Sequence, residues 1–193
     1  MLLRIVGKAL WVVVVCAATA RALVVVERDF RDLVERAEVI LEGTVSGVEE
    51  VPDATGIQRT LVALTDLEVH KGTVSGPKFA LDVVGGTKNG FRSQVLDLPS
   101  FTLGDRVILF VRGNGQAVFP VVGVHQGYFR VERLEDGSSR IVRCDGLPVV
   151  AREQRALRFA PRTSRGMERA VSLEEFRTWI RNEMQTLGGG VGR

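Results

Sequence analysis

The sequence predicts a mainly β protein organised on a curled or closed antiparallel sheet, and three observations carry that expectation. Twenty-one glycines accompany a composition that is 45% hydrophobic but only 6% aromatic, which implies many turns between short apolar runs. In residues 61–72, LVALTDLEVHKG, the side chains of Leu61, Ala63, Thr65, Leu67 and Val69 share one strand face. Val62 and Leu64 make the first half apolar on the other face too, before Asp66, Glu68 and His70 turn it polar. A strand buried on both sides at one end and on one side at the other fits a curled sheet better than a flat one. The third observation is the pair Gly43 and Gly47 on the apolar face of the preceding strand, as a strand needs where it bends sharply or another backbone approaches. At 193 residues the chain is one domain, or one plus a small appendage, and needs neither a metal nor a disulfide to hold a core.

Its first twenty residues have the three parts of a cleavable signal peptide. Arg4 and Lys8 precede an uncharged apolar run from Ala9 to Ala20, and Ala18-Thr19-Ala20 is an A-x-A cleavage pattern. Arg21 interrupts the run before it could span a bilayer, so export, with the mature chain beginning at Arg21 and no membrane span after cleavage, is expected. Lipidation at Cys16 is the weaker alternative, because Val15 stands where a small residue is wanted. Cleavage removes Arg4 and Lys8 and no acid, so the formal net charge falls from +3 to +1. It also leaves Cys144 as the mature chain's one cysteine. This excludes an intramolecular disulfide despite the oxidising destination. Cys144 reads as a small buried hydrophobe, since a nucleophile needs a base and neither histidine is near in sequence; intermolecular pairing is the minor alternative.

In the mature chain, Phe30, Leu33, Val34 and Ala37 recur at helical spacing after a capping Asp29. A first strand follows from Val39 to Gly47, turned at 52–56 into the 61–72 strand with which it pairs. Phe79, Leu81 and Val83 mark a third strand closed by Gly85-Gly86, and 90–96 a weaker fourth. Val107 to Val111 reads as a central strand, hairpinned through Gly113-Asn114-Gly115 onto 117–122, where Pro120 makes the partner an edge. A further hairpin joins 128–134 to 139–143 around Asp136-Gly137. About seven strands result, at the turn spacing of a sandwich or small barrel.

The blocks AEVILEGTV, VHKG, VVGG, FTLGDRVILFV and VGVHQGYFRV, from residue 37 to about 142, resemble a domain of many exported bacterial proteins. The first two are also similar to the barrel strands of the netrin and tissue-inhibitor-of-metalloproteinase (TIMP) superfamily. The resemblance implies an OB-fold-like (TIMP-like) antiparallel barrel with a short N-terminal and a C-terminal helix. It does not carry inhibitor activity across, because family inhibitors chelate the protease zinc through an N-terminal cysteine that this chain lacks near Arg21.

The barrel domain is expected over 21–150, with an Arg-rich linker over 151–171 and a C-terminal helix over 172–187 docked on the barrel. Arg152, Arg155, Arg158, Arg162 and Arg165 are the candidate anion or partner contacts; a merely solvated linker broken at Pro161 is the alternative. Ser172 and Glu175 form a capping box, and Leu173, Phe176, Ile180, Met184 and Leu187 stripe the helix to Gly188.

Motifs for chemistry are sparse. His70 and His125 have no second metal ligand at a recognised spacing, and His70 reads as a solvent-face residue. Residues 85–90 lack the phosphate-loop pattern, and no serine sits in a nucleophile elbow. Asp66 and Glu68 read as solvated carboxylates. No catalytic residue, cofactor or metal is therefore assigned. The sequence points to an exported, monomeric, non-catalytic binding or accessory module contacting a protein or a polysaccharide of the envelope. A small hydrolase with an unrecognised site, or an inhibitor-like domain without the chelating cysteine, is the alternative. Nucleic-acid binding is disfavoured by export, by the low mature charge and by the few aromatics.

Overall fold

A computed structural model describes residues 27–52, 57–88, 91–93, 99–160 and 169–189. The expected signal peptide, the Arg21 terminus, Arg162 and Arg165 lie outside them. The described chain is mainly β, with ten strands and two helices. Helix α1 (Phe30–Arg36) starts where the Asp29 side chain accepts from the Asp32 N–H at 2.7 Å, and it buries Phe30, Leu33 and Val34. Strands β1 (Val39–Pro52), β2 (Gln58–Lys71), β3 (Phe79–Val84), β6 (Arg106–Val111), β7 (Tyr128–Arg133) and β8 (Ser139–Arg143) make one sheet of order β3-β2-β1-β6-β7-β8. Every pairing in it is antiparallel. Two small hairpins, β4 (Gly86–Lys88) with β5 (Phe91–Ser93) and β9 (Val149–Glu153) with β10 (Ala156–Phe159), complete the strands.

Strand periodicity divides the core in two. On β6 the buried residues alternate, Ile108 and Phe110 joining Ile40, Phe129 and the helices on one face. Val107, Leu109 and Val111 join Leu41, Val45, Val62, Leu64, Leu81 and Tyr128 on the other. The β1–β2 register shifts at three places. One shift falls beside Asp66, whose φ of 52° marks a bulge. There Gly43 admits the β2 backbone: a Cβ on it would lie 2.9 Å from the Leu67 side chain and 3.1 Å from the Thr65 carbonyl.

The sheet is not a closed barrel, because other segments occupy its two edges. Beyond β3, the Asn114 side chain accepts from the Asp82 N–H at 2.9 Å and donates to the Ala80 carbonyl at 2.8 Å. The Val84 N–H donates to Val118 at 2.9 Å. Residues 117–122, expected as an edge strand, make only a single bridge, Val111 to Val121, since their backbone groups are divided between β3 and β6. Beyond β8, Val171 accepts from Ile141 and donates to Val149, while Arg143 donates to Leu147.

Two further differences bear on function. Where a linker is expected over 151–171, the chain first completes the β9–β10 hairpin, and Val171 is tied between β8 and β9. Helix α2 (Leu173–Gly188), capped by Ser172 Oγ on the Glu175 N–H, lies on the face that also carries α1. Phe176 and Ile180 are fully buried there, the Phe176 ring 5.4 Å from Phe30 and 4.9 Å from Phe129. Neither helix among the described residues is long and apolar enough to cross a membrane.

Candidate functional site

The bulge at Asp66 turns Glu68 and His70 toward the helix-bearing side of the sheet, where they meet Glu42. Glu42 is wholly buried, an arrangement that needs partners because an isolated interior carboxylate is too costly. Its Oε1 accepts from Arg106 Nε at 2.5 Å, and its Oε2 from Arg177 Nε at 3.0 Å and Nη2 at 2.9 Å. Arg177 also pairs with Glu68 at 2.6 Å and with Glu174. His70 is 5% exposed, its Nε2 3.8 Å from Glu42 and its Nδ1 3.9 Å from Glu68. Both distances exceed hydrogen-bond length, and Nε2 has no hydrogen-bond partner. The solvent-face assignment of His70 is thereby corrected. Burial pushes the Glu42 carboxyl up, but His70, Arg106 and Arg177 outweigh it and hold the group down at about 2. A carboxylate so strongly ionised neither donates nor takes up a proton near neutrality, so the cluster positions groups and fastens α2 to β1 and β2.

Arg106 extends from this cluster to a groove of about 770 Å³ that runs past β7 and β8 to the start of α2. Among the described residues its lining includes Arg106, Arg130, Arg133, Asp105, Glu132, Val131 and Leu173; strand alternation puts Arg133 on the face of Val131, and Arg130 and Glu132 on the opposite one with Tyr128. Glu132 is engaged by Arg140, whose Nε and Nη2 lie 3.0 and 2.8 Å from one oxygen, and more loosely by Arg130 at 3.4 Å. The buried Nε of Arg130 has no hydrogen-bond partner. This surface offers cationic donors over an aliphatic floor, suited to holding carboxylates.

A third constellation joins the lone thiol to a histidine. Cys144 Sγ lies 3.4 Å from His125 Nδ1 and 3.4 Å from the His125 carbonyl. His125 sits in a turn where Gly123 and Val124 both have positive φ, 65° and 58°, and where a Cβ on Gly127 would meet the Val122 carbonyl at 2.6 Å. Burial, with a contribution from Asp145, pushes the thiol up to about 11. The pair therefore lacks the thiolate that nucleophilic chemistry requires. No group of three potential metal ligands forms among the described residues.

Of the arginines singled out from sequence, the described Arg152, Arg155 and Arg158 each have contacts within the fold. Arg152 pairs with the buried Glu183 and lies over the Phe30 ring, 5.5 Å from its centroid, which makes it part of the helix dock. Arg158 pairs with Glu153 at 3.0 Å. Arg155 occupies the β9–β10 turn, and its carbonyl accepts from the Phe30 N–H at 2.7 Å. Sequence reasoning missed Glu42, Arg106, Arg177, Glu183 and the Cys144–His125 proximity. Glu42 had a signal: two residues after Ile40, it shares that residue's inward face. Glu183 had one as well, three residues after Ile180 on the buried stripe. Nothing in the spacing of 125 and 144 announces their contact. No protein-family model, curated protein or solved structure matches the chain.

Proposed function

We propose that this protein is an exported, non-catalytic binding module that holds an anionic protein or polymer of the cell envelope in the groove beside β7 and β8. The observation that carries the reading is the groove itself, which Arg106 and Arg133 line together with Val131 and Leu173. The buried Glu42 anchors Arg106, so one cation of the surface is preorganised, and preorganisation lowers the ordering cost of binding. The netrin/TIMP kinship belongs to the same proposal. The two blocks behind that resemblance, AEVILEGTV and VHKG, meet in the Glu42 cluster through Glu42 and His70. An inhibitor-like domain without the chelating cysteine is a variant of this reading and acts through the groove.

The test is retention of the purified protein by isolated envelope material, comparing wild type with Arg130→Glu/Arg133→Glu. The reading expects salt-sensitive retention that the double reversal removes; equal retention of both would overturn it. Export is tested separately by intact mass, with a chain beginning at Arg21 expected and a full-length chain starting at Met1 contradicting it. A small cysteine hydrolase is the second reading, favoured by the Cys144–His125 contact and weakened by the raised thiol.

A further inference from the structure

We propose that Asn114 is a deamidation site and that its conversion uncovers the β3 edge. Asn114 is followed by Gly115, the neighbour that most favours this reaction, because no side chain hinders the attacking nitrogen. Both residues are exposed. They lie in the turn where the Gly113 carbonyl accepts from the Gln116 N–H at 3.0 Å and from the Ala117 N–H at 2.8 Å. Gly115 has φ 79°, and a Cβ on it would meet nothing nearer than Asp82 Oδ2 at 3.9 Å, so its surroundings are open. Among the described residues the Gly115 N–H makes no hydrogen bond. In the reaction the Gly115 nitrogen bonds to the side-chain carbonyl carbon of Asn114, and the amide nitrogen departs as ammonia with the Gly115 proton. Water then opens the succinimide ring at either carbonyl and leaves aspartate or isoaspartate. The net change is amide plus water to carboxylate plus ammonium.

In this fold the conversion changes more than one side chain, because Asn114 also covers the edge of β3. Its amide accepts from the Asp82 N–H at 2.9 Å and donates to the Ala80 carbonyl at 2.8 Å. A carboxylate keeps the first bond but has no donor for the second, so the Ala80 carbonyl faces an oxygen. It also places a negative charge beside Asp82, which is already paired with Arg59 at 2.6 Å, and neighbouring like charges repel. Isoaspartate disturbs the edge further, since it carries one more main-chain carbon through the turn. That turn leads directly to Val118, whose carbonyl accepts from the Val84 N–H at 2.9 Å. A strand edge stripped of such partners presents backbone groups on which another strand can pair. The two bonds that hold the amide on β3 restrain the reaction in the folded protein. It therefore proceeds through local opening of an exposed turn, with the core intact.

The test is incubation of the folded protein in warm, mildly alkaline buffer, followed by mass analysis of its tryptic peptides. Asn114 falls in the peptide 113–130 and Asn89-Gly90 in the separate peptide 89–92, so conversion at 114 is read by itself. A synthetic 113–130 peptide gives the unrestrained rate. The proposal expects conversion at Asn114 in the folded protein, slower than in that peptide. It also expects hydrogen exchange over residues 79–84 to be at least about tenfold faster, both in the converted protein and in Asn114→Asp. Exchange in β6 is the internal reference: it stays at the wild-type rate if the effect is confined to the edge, and a matching rise there would count against the proposal. An intact Asn114 after the synthetic peptide has fully converted would overturn the site. Unchanged β3 exchange in the converted protein and in Asn114→Asp would overturn its role at the edge.

Discussion

At the scale of single residues, Glu42 and Cys144 show environment setting chemistry in opposite directions. Glu42 is buried and Cys144 half-buried, yet the carboxyl is held at about 2 by a facing imidazole and two guanidiniums, while the thiol, without a close cation strong enough to counter burial, goes up to about 11. The carboxyl's folded value lies below its ordinary 4.5, so the unfolded chain takes up the proton first. The stability it contributes is complete above pH 4.5 and is lost as pH falls from there toward 2. That contribution is on the order of 3 kcal/mol. Glu42→Gln leaves Arg106 and Arg177 without their carboxylate and should destabilise the protein by about 3 kcal/mol at neutral pH. It should also flatten the acid limb, as read from urea unfolding across pH 2 to 7 (roughly the range over which carboxylates titrate). For Cys144, alkylation at about pH 8 should be at least tenfold slower than for free cysteine. His125→Ala should leave the rate unchanged; a fast, His125-dependent reaction would instead favour the hydrolase reading.

At the scale of elements, the VHKG segment shows how four consecutive residues join a strand to a helix. His70 faces Glu42, and the Lys71 ammonium donates to the Val34 and Glu35 carbonyls at 2.7 and 3.0 Å. Lys71 thus satisfies the otherwise unpaired C-terminal carbonyls of α1, where a cation also suits the helix dipole; burial lowers its pKa. Gly72 then turns at φ 77°, with a Cβ position only 2.3 Å from the Glu38 carbonyl. Gly72→Ala should therefore cost about 2 kcal/mol or more, through both the left-handed backbone and the clash. The check is a lowered urea midpoint with an unchanged slope. The edges show the same economy. Asn114 supplies β3 with both a donor and an acceptor, so an exposed strand edge is covered without another strand.

At the scale of the whole molecule, one aromatic cluster makes the sheet and both helices a single cooperative unit. Phe176 lies between Phe30 of α1 and Phe129 of β7, and Phe30 also meets Phe110 of β6 at 6.0 Å. Two ion pairs flank this cluster along α2, Arg177 with Glu42 and Arg152 with Glu183. Phe176→Asp removes a fully buried ring and puts a charge in its place. It should destabilise the entire protein by about 3 to 5 kcal/mol. A chain ending at Ala170 should lose comparable stability, because it also uncovers Val149 and Ile141 of the same core. Superimposable denaturant curves for wild type and both variants would show α2 to be energetically independent of the sheet.

The sequence by itself determined the local elements of this protein. The Asp29 cap precedes α1 and the Ser172 cap precedes α2. The β7–β8 hairpin turns at Asp136-Gly137, with Gly137 at φ 81° and the Asp136 side chain accepting from the Ser138 N–H. Each is a contest settled within a few residues, by dihedral preference, side-chain capping and periodicity. Only the tertiary structure decided whether the sheet would close and which polar residues would meet. The sheet stays open because Asn114 and Val118 bond the β3 edge and Val171 bonds the β8 edge. Strand parity after Thr65 was reset by one extra residue at the Asp66 bulge, which moved His70 from the face of Leu64 to the helix-bearing side. The partners of Glu42 lie 64 and 135 residues away at Arg106 and Arg177, and Cys144 lies 19 from His125. Periodicity can assign a residue to a face, but it cannot select the partner that folding brings to that face. The cost of an unpaired buried charge makes such a partner necessary, and chain topology supplies it.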